Sequence, residues 1–262
     1  MALSQSENLL SPRSLVPLKR LQNSPYANVI CYPKLTQKEL HTRLRELERL
    51  GILTIEFTGE RTVHNTQVLG KGCVGIVVKA FTEERSAALK IRRIDADRKE
   101  MKHEAKMLKI ANTVNVGPRF FNLTKNLLLM EYVEGTLLPQ WLKEAKHEQT
   151  VHNVLRSTLE QCWRLDETGL DHGELSHAPK HVIIKKSTPC IVDFETASTS
   201  RRPSNVTAMS QYLFIAKNTA KQITKIIGRI NQERLKCELR NYKREKTRKN
   251  FEAILQTMSL NW

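Results

Sequence analysis

Three glycines, Gly70, Gly72 and Gly75, fall in the run Leu69-Gly70-Lys71-Gly72-Cys73-Val74-Gly75-Ile76-Val77. A lysine follows in Ala87-Ala88-Leu89-Lys90-Ile91. Glycines at this spacing let a backbone turn close over a phosphate chain with no Cβ in the way. A lysine on the strand that follows can then reach the phosphates. The glycine spacing alone is weak; with Val77 after it and a strand-borne lysine at this distance it is far more specific.

Two other readings of the stretch are open. One is a glycine-rich hairpin that merely turns. The other is a dinucleotide fingerprint, which requires the glycines to open a helix and an acidic residue about 20 positions on. Ile76-Val77-Val78 continues as a strand, which disfavours the second.

The chain has 262 residues, enough for one large domain or two small ones with a core that needs no staples. Its 40% hydrophobic and 27% charged residues are those of a globular protein. Five cysteines (Cys31, Cys73, Cys162, Cys190, Cys237) are dispersed, with no CxxC or CxxH pair, which argues against a disulfide framework or a zinc site. No apolar run reaches the ~20 residues that span a bilayer. No charged-then-apolar leader opens the sequence, so a cytoplasmic location is expected. The net charge of +16 is uneven: Lys217 to Asn250 holds twelve Lys or Arg against three Glu. Such a segment is either a solvated helical face or a contact for RNA or a ribonucleoprotein.

Residues 1–34 carry few periodic signals. Thr36-Gln37-Lys38-Glu39 reads as a capping box, Leu40, Leu44 and Leu47 recur at helical spacing, and Gly51 ends that helix. A strand around Leu53 to Phe57 follows. Residues 1–60 are therefore expected to form a small αβ extension. A winged-helix DNA reader needs about three helices, which this stretch does not supply. From residue 61 the pattern predicts strands at Thr62–Leu69, Val74–Phe81 and Ser86–Arg93, a helix at Asp95–Ala111, and strands at Arg119–Leu123 and Leu127–Tyr132. Beyond Gly135 it predicts helices at Leu137–Lys146 and Thr150–Thr168. A strand pair, His181–Lys185 and Pro189–Asp193, precedes basic helices from Asn205 to Met258. The expected class is α+β: a five-stranded antiparallel lobe over 61–132, then a reduced, mainly helical lobe over 136–262.

A glycine turn, a strand lysine, a helix glutamate, a connector at Met130-Glu131-Tyr132-Val133-Glu134-Gly135, His172-Gly173-Glu174-Leu175, and Asp193-Phe194-Glu195 occur in this order. The set resembles the protein-kinase-like superfamily over roughly residues 63–262. It is most similar to the small atypical kinases (RIO, KEOPS-complex and lipopolysaccharide kinases) and, among these, to predicted serine/threonine kinases of archaea.

The resemblance implies ATP and Mg²⁺ as cofactors. Leu69, Gly70, Gly72, Gly75 and Val77 would cover the nucleotide. Lys90 would meet its phosphates, oriented by Glu104, with Glu100 one turn away as the alternative. Met130 would line the rear of the adenine pocket, and backbone groups of Glu131 and Val133 would bond the base. Asp193 would hold the metal. Glu174, or Asp171 if the loop is rewound, would take the proton of the attacking hydroxyl.

Three departures from the pattern stand out. Glu174 replaces the usual aspartate, so its oxygens sit one methylene further out, and a misplacement of that order can cost ~100-fold in rate. Pro179 stands where a metal-binding asparagine is expected, five residues after the acid. With two extra loop residues His181 would take that place, while Lys180 would bring positive charge to the transferred phosphate or lie on the surface. Glu195 replaces a glycine, and no Ala-Pro-Glu follows the short segment Thr196–Asn205, so regulation by activation-loop phosphorylation is not expected.

The expected activity is that of a serine/threonine-type kinase moving the γ-phosphate of ATP to a protein hydroxyl, its own included. The alternatives are an ATP-binding pseudokinase that contacts RNA or a ribonucleoprotein through residues 217–250, and a small-molecule or lipid kinase.

Overall fold

The computed structural model describes residues 14–260, which divide into two compact units. One runs to Met101 and takes in Asn122–Leu129; the other holds Lys102–Phe121 and the chain from Met130.

The first unit contains β1 (Ser14–Pro17), α1 (Tyr26–Ile30), α2 (Gln37–Arg49), β2 (Thr54–Phe57), β3 (Arg61–Val63), β4 (Thr66–Val68), β5 (Gly70–Lys71), β6 (Gly75–Phe81) and β7 (Ser86–Arg92). The hairpin of β8 (Phe120–Leu123) and β9 (Leu127–Glu131) completes its sheet. The strand order is β1-β2-β6-β7-β9-β8, with β5 paired on β6. The antiparallel α+β expectation holds. The sheet is wider than five strands because β1 and β2, from the amino-terminal stretch, add at the β6 edge. Buried Ile76, Val78 and Ala80 alternate along β6 with less buried neighbours, as a strand with one covered face requires.

The single strand expected over 62–69 is instead a hairpin of β3 and β4. His64 and Asn65 turn it, both in the left-handed region with φ of 45° and 59°. A two-residue turn of this kind matches the twist of the strands it joins, and Asn tolerates it well.

Helix α2 begins as its sequence suggests: the Glu39 N–H donates to Thr36 Oγ1 at 3.3 Å. It ends against Gly51, whose φ is 68°. Its covered face carries Leu40, Arg43, Glu46 and Leu47. From that face Glu46 accepts a hydrogen bond from Asn126 at 3.2 Å, and Asn126 accepts one from Arg92 Nε at 2.9 Å. This buried polar chain ties the helix, the β8–β9 turn and the end of β7 together.

The second unit opens with α3 (Lys102–Thr113), which starts seven residues later than the sequence pattern suggests; Asp95 is drawn instead to Arg93, 2.7 Å away. Then come β10 (Thr136–Leu137), α4 (Leu138–Glu144), α5 (Glu148–Glu167), β11 (Val182–Lys185), β12 (Thr188–Ile191), α6 (Asn205–Phe214), α7 (Lys217–Ile227), α8 (Gln232–Arg244) and α9 (Arg248–Thr257). Strands β10, β11 and β12 form a small antiparallel sheet on which α5 packs.

The core of this unit gathers Leu159, Cys162, Trp163, Phe194, Val206, Met209 and Phe251. Within it Asp166 accepts from the N–H groups of Asn205 (2.9 Å) and Val206 (3.3 Å) and from the Tyr242 hydroxyl (2.8 Å). A carboxylate at the first N–H groups of α6 satisfies donors that the helix itself leaves open and meets the positive end of its dipole. Burial still pushes the Asp166 carboxyl above its usual range. Among the described residues no helix is long and apolar enough to cross a membrane.

Candidate functional site

In the first unit, β5 and β6 form the glycine turn. Gly70 pairs with Val77 and Lys71 with Ile76, and the Gly72 N–H donates to Gly75 O at 2.8 Å. Arg93 secures the turn from the end of β7: its N–H donates to Val74 O (2.7 Å) and its Nη1 to Gly72 O (3.0 Å). The Arg93 guanidinium and the Lys71 ammonium both lie against the ring of Tyr32, at 5.0 and 4.7 Å. Neither Arg93 nor Tyr32 stood out in the sequence, because each acts through a contact distant in the chain.

Lys90 lies in the middle of β7, paired across from Val77, and is 4% exposed. Its stem runs over Gly75. A Cβ built there would stand 3.0 Å from Lys90 Cγ, 3.1 Å from Lys90 Cε and 3.1 Å from Ile91 O. The three glycines therefore do different work. At Gly70 and Gly72 a Cβ would make ordinary contacts, at 3.7 and 3.6 Å, and neither residue has the positive φ that only glycine accepts easily. Leu69 and Val77 are half-buried beside them.

In the second unit, Glu104 sits in the first turn of α3 and is 4% exposed, whereas Glu100 precedes the helix and is exposed. Of the two glutamates, the one the sequence favoured is the buried one. The neighbouring His103 bonds through Nε2 to Ala197 O at 2.9 Å, which ties α3 to the segment after Asp193. At the connector, Met130 packs on the core, and the Glu131 N–H is engaged with Arg119 O at 2.8 Å. The Glu131 carboxylate accepts from the Arg119 N–H at 3.2 Å, and Val133 follows half-buried in irregular backbone.

The residues after α5 form a tightly bonded loop. His172 is fully buried. Its N–H donates to Asn205 Oδ1 (2.9 Å), its carbonyl accepts from Thr196 Oγ1 (3.0 Å), and its Nε2 lies 3.1 Å from Val192 O. Burial lowers the His172 pKa to about 4, so the ring is neutral. Gly173 has a φ of 91° and faces Arg201 Nη2, which a Cβ would approach to 2.6 Å. Asp171 is turned inward: its carboxylate accepts from Arg201 Nε (2.9 Å) and from the Ser204 N–H (3.0 Å) and hydroxyl (3.3 Å). Arg201 was not marked by any sequence signal.

Glu174 points elsewhere. Its Oε2 is 3.1 Å from Nε2 of His181, and its side chain is 41% exposed. His181 is 1% exposed and stands just before β11, while Asp193 stands just after β12. Val182 pairs with Ile191, and the Val192 N–H donates to His181 O at 2.9 Å, so the open end of this hairpin brings the two residues together. Gln161 of α5 fixes the hairpin by bonding Pro189 O (2.6 Å) and the Ile191 N–H (3.3 Å). Asp193 has a φ of 70°, uncommon for a residue with a side chain and held here by its surroundings. One ligand atom from each of Glu174, His181 and Asp193 lies within 4.8 Å of the others. Two carboxylates and an imidazole are a donor set that fits a divalent cation. Burial lowers the His181 pKa, which keeps the nitrogen in its ligating form. Lys180 is exposed beside this group.

A glycine turn over a strand lysine in one unit, and a carboxylate loop with an aspartate at a hairpin end in the other, belong to the protein-kinase-like class. The family model for the RIO domain matches residues 78–212, just over half of the chain. The chain belongs to this family of atypical kinase-like, ATP-binding proteins. No curated protein matches it.

Proposed function

We propose that the protein is an ATP-dependent phosphotransferase that moves the γ-phosphate of ATP to a serine or threonine hydroxyl. The observation that carries this reading is buried Lys90, whose stem passes over Gly75 at a distance that would crowd a side chain there. Lys90 would neutralise the phosphates, with Glu104 as the glutamate of the phosphate site, and Leu69, Gly70, Gly72 and Val77 would cover the nucleotide. Met130 and the backbone of Glu131 and Val133 would take the adenine. Because the Glu131 N–H already serves Arg119, its carbonyl and the Val133 backbone are the groups to contact the base.

Asp193 and His181 would hold the metal, Mg²⁺ being the ion that accompanies ATP. A bound dication spreads the charge that develops on the phosphoryl oxygens. Glu174 orients the acceptor hydroxyl and takes its proton, and it is favoured over Asp171, whose carboxylate is committed to Arg201 and Ser204. Lys180, exposed next to His181 in the chain, would attract the transferred phosphate. Phosphoryl transfer needs little more of a protein than this positioning and charge neutralisation.

The test is incubation with Mg²⁺ and γ-labelled ATP, with Glu174→Gln alongside. Label on the protein, or on an added protein acceptor, that the variant loses while still binding nucleotide supports the reading. Nucleotide binding with no transfer above the variant overturns it. In that event a second reading, an ATP-binding switch that contacts RNA or a ribonucleoprotein, takes its place. It draws on the exposed cations Arg234, Arg240, Lys243 and Arg244 of α8 and Lys249 of α9. Label on an extracted metabolite or lipid would instead mark a small-molecule kinase.

A further inference from the structure

The oxygen-only donor set that suits Mg²⁺ is interrupted in this chain by a nitrogen. We propose that the group formed by Glu174, His181 and Asp193 is a site for a first-row transition-metal dication, bound through the His181 imidazole in preference to Mg²⁺. The inference rests on reading Asp193 as a metal holder and names the ion that this residue and its neighbours select.

Mg²⁺ requires near-ideal octahedral oxygen ligation and keeps several waters, and an imidazole nitrogen adds little to its binding. The same nitrogen raises affinity for Mn²⁺, Co²⁺ and Zn²⁺ in the Irving–Williams order. Two carboxylates supply the formal charge that offsets a dication.

The nitrogen is firmly held. His181 is 1% exposed, its carbonyl is bonded by Val192, and its ring meets His172 edge-on at 5.4 Å between centroids. A surface histidine would swing away; this one is fixed with Nε2 facing Glu174 Oε2 at 3.1 Å. Asp193 approaches from the other strand of the same hairpin, so a single rigid element delivers two of the three ligands. Glu174, on the more exposed loop, closes the site with one oxygen and keeps the other for the acceptor hydroxyl.

The experiment uses the full chain without nucleotide. Mn²⁺ is titrated by loss of its free electron paramagnetic resonance signal, Mg²⁺ is measured by competition, and pulsed resonance of bound Mn²⁺ reads any directly coordinated nitrogen. Wild-type protein is expected to show that nitrogen coupling and to bind Mn²⁺ at least about tenfold tighter than Mg²⁺. His181→Asn is expected to lose the coupling and most of the preference while still binding Mg²⁺. Glu174→Gln is expected to weaken both ions and keep the coupling. Absence of metal binding, or of the nitrogen coupling, in the wild type overturns the proposal, and that measurement stands even if His181→Asn does not fold. A Mn²⁺/Mg²⁺ ratio unchanged in a folded His181→Asn also overturns it. Binding of a fluorescent ATP analogue in the absence of metal is measured in parallel, so a failed metal site and a failed nucleotide site give different results.

Discussion

Gly75 lies beneath the stem of Lys90, where a methyl group would stand only 3.0–3.1 Å from Lys90 Cγ, Lys90 Cε and Ile91 O and the stem would have to give way. The two residues sit on neighbouring strands of one antiparallel pair, where Gly75 is opposite Arg92 and Lys90 is opposite Val77. Lys90 crosses the strand diagonally to pass over the glycine, so the identity of residue 75 sets where the ammonium stands. Gly75→Ala is therefore expected to displace Lys90 or the strand and to weaken nucleotide binding by about tenfold, equivalent to roughly 1.4 kcal/mol. Gly70→Ala, whose new Cβ meets Val77 at an ordinary 3.7 Å, is expected to change binding by less than about twofold. Titration with a fluorescent ATP analogue compares the two; equal losses would mean that the close approach is irrelevant.

Lys90→Met keeps an unbranched apolar stem and removes only the ammonium. Phosphate transfer is expected to fall by on the order of 100-fold or more, as when a preorganised charge is lost from a reacting group. Because removing one partner of a buried charge leaves the other uncompensated, the melting temperature is expected to fall while the fold is kept. Failure of the variant to fold would assign Lys90 a structural role instead.

Asp171 and Glu174, three residues apart, should separate by effect. Asp171→Asn leaves Arg201 without its anion and is expected to cost about 1–3 kcal/mol in urea unfolding while Mn²⁺ binding persists. Glu174→Gln, on a more exposed side chain, should leave unfolding nearly unchanged and weaken metal binding. The reverse pattern would make Asp171 the functional acid.

Tyr242→Phe removes the hydroxyl that α8 donates to Asp166 and leaves a buried carboxylate short of a partner. A loss of about 1–3 kcal/mol is expected in urea unfolding. Nucleotide binding, which uses none of these groups, should be unaltered.

The thiols offer a check that needs no substitution. Cys73 and Cys237 are exposed, whereas Cys31 and Cys162 are buried. Burial raises the thiol pKa of Cys31 to about 11 and of Cys190 to about 12. Because only the thiolate reacts, Cys31, Cys162 and Cys190 are expected to stay protonated and label slowly, while the exposed Cys73 and Cys237 label first. Mass spectrometry of the alkylated protein reads this directly. ATP should protect Cys73, inside the glycine turn, and not Cys237; protection of neither would count against nucleotide binding at that turn.

The features that were legible in the sequence are the ones whose physics is local. The Thr36 cap and the Gly51 stop act within a few residues, and both stand where the sequence puts them. The α+β class followed from the change of hydrophobic period along the chain. The His64-Asn65 turn went unread because two residues in the left-handed region leave the alternation around them almost intact. Helix α3 starts late for a similar reason: the stretch before it has helical composition, but Asp95 is engaged by Arg93.

The sequence by itself determined that a lysine would follow a glycine turn at this distance, and that carboxylates would recur at residues 171, 174 and 193. It did not decide which glutamate near α3 is buried, which of two acids is already satisfied, or that His181 joins Glu174 and Asp193. Those outcomes depend on which donors and acceptors long-range packing brings within about 3 Å, where a hydrogen bond or a metal bond forms. Arg201 reaches Asp171 from 30 residues away, and the β11–β12 hairpin folds His181 back beside Asp193. Burial then fixes each group's charge state through the water it excludes, a quantity that chain order does not carry.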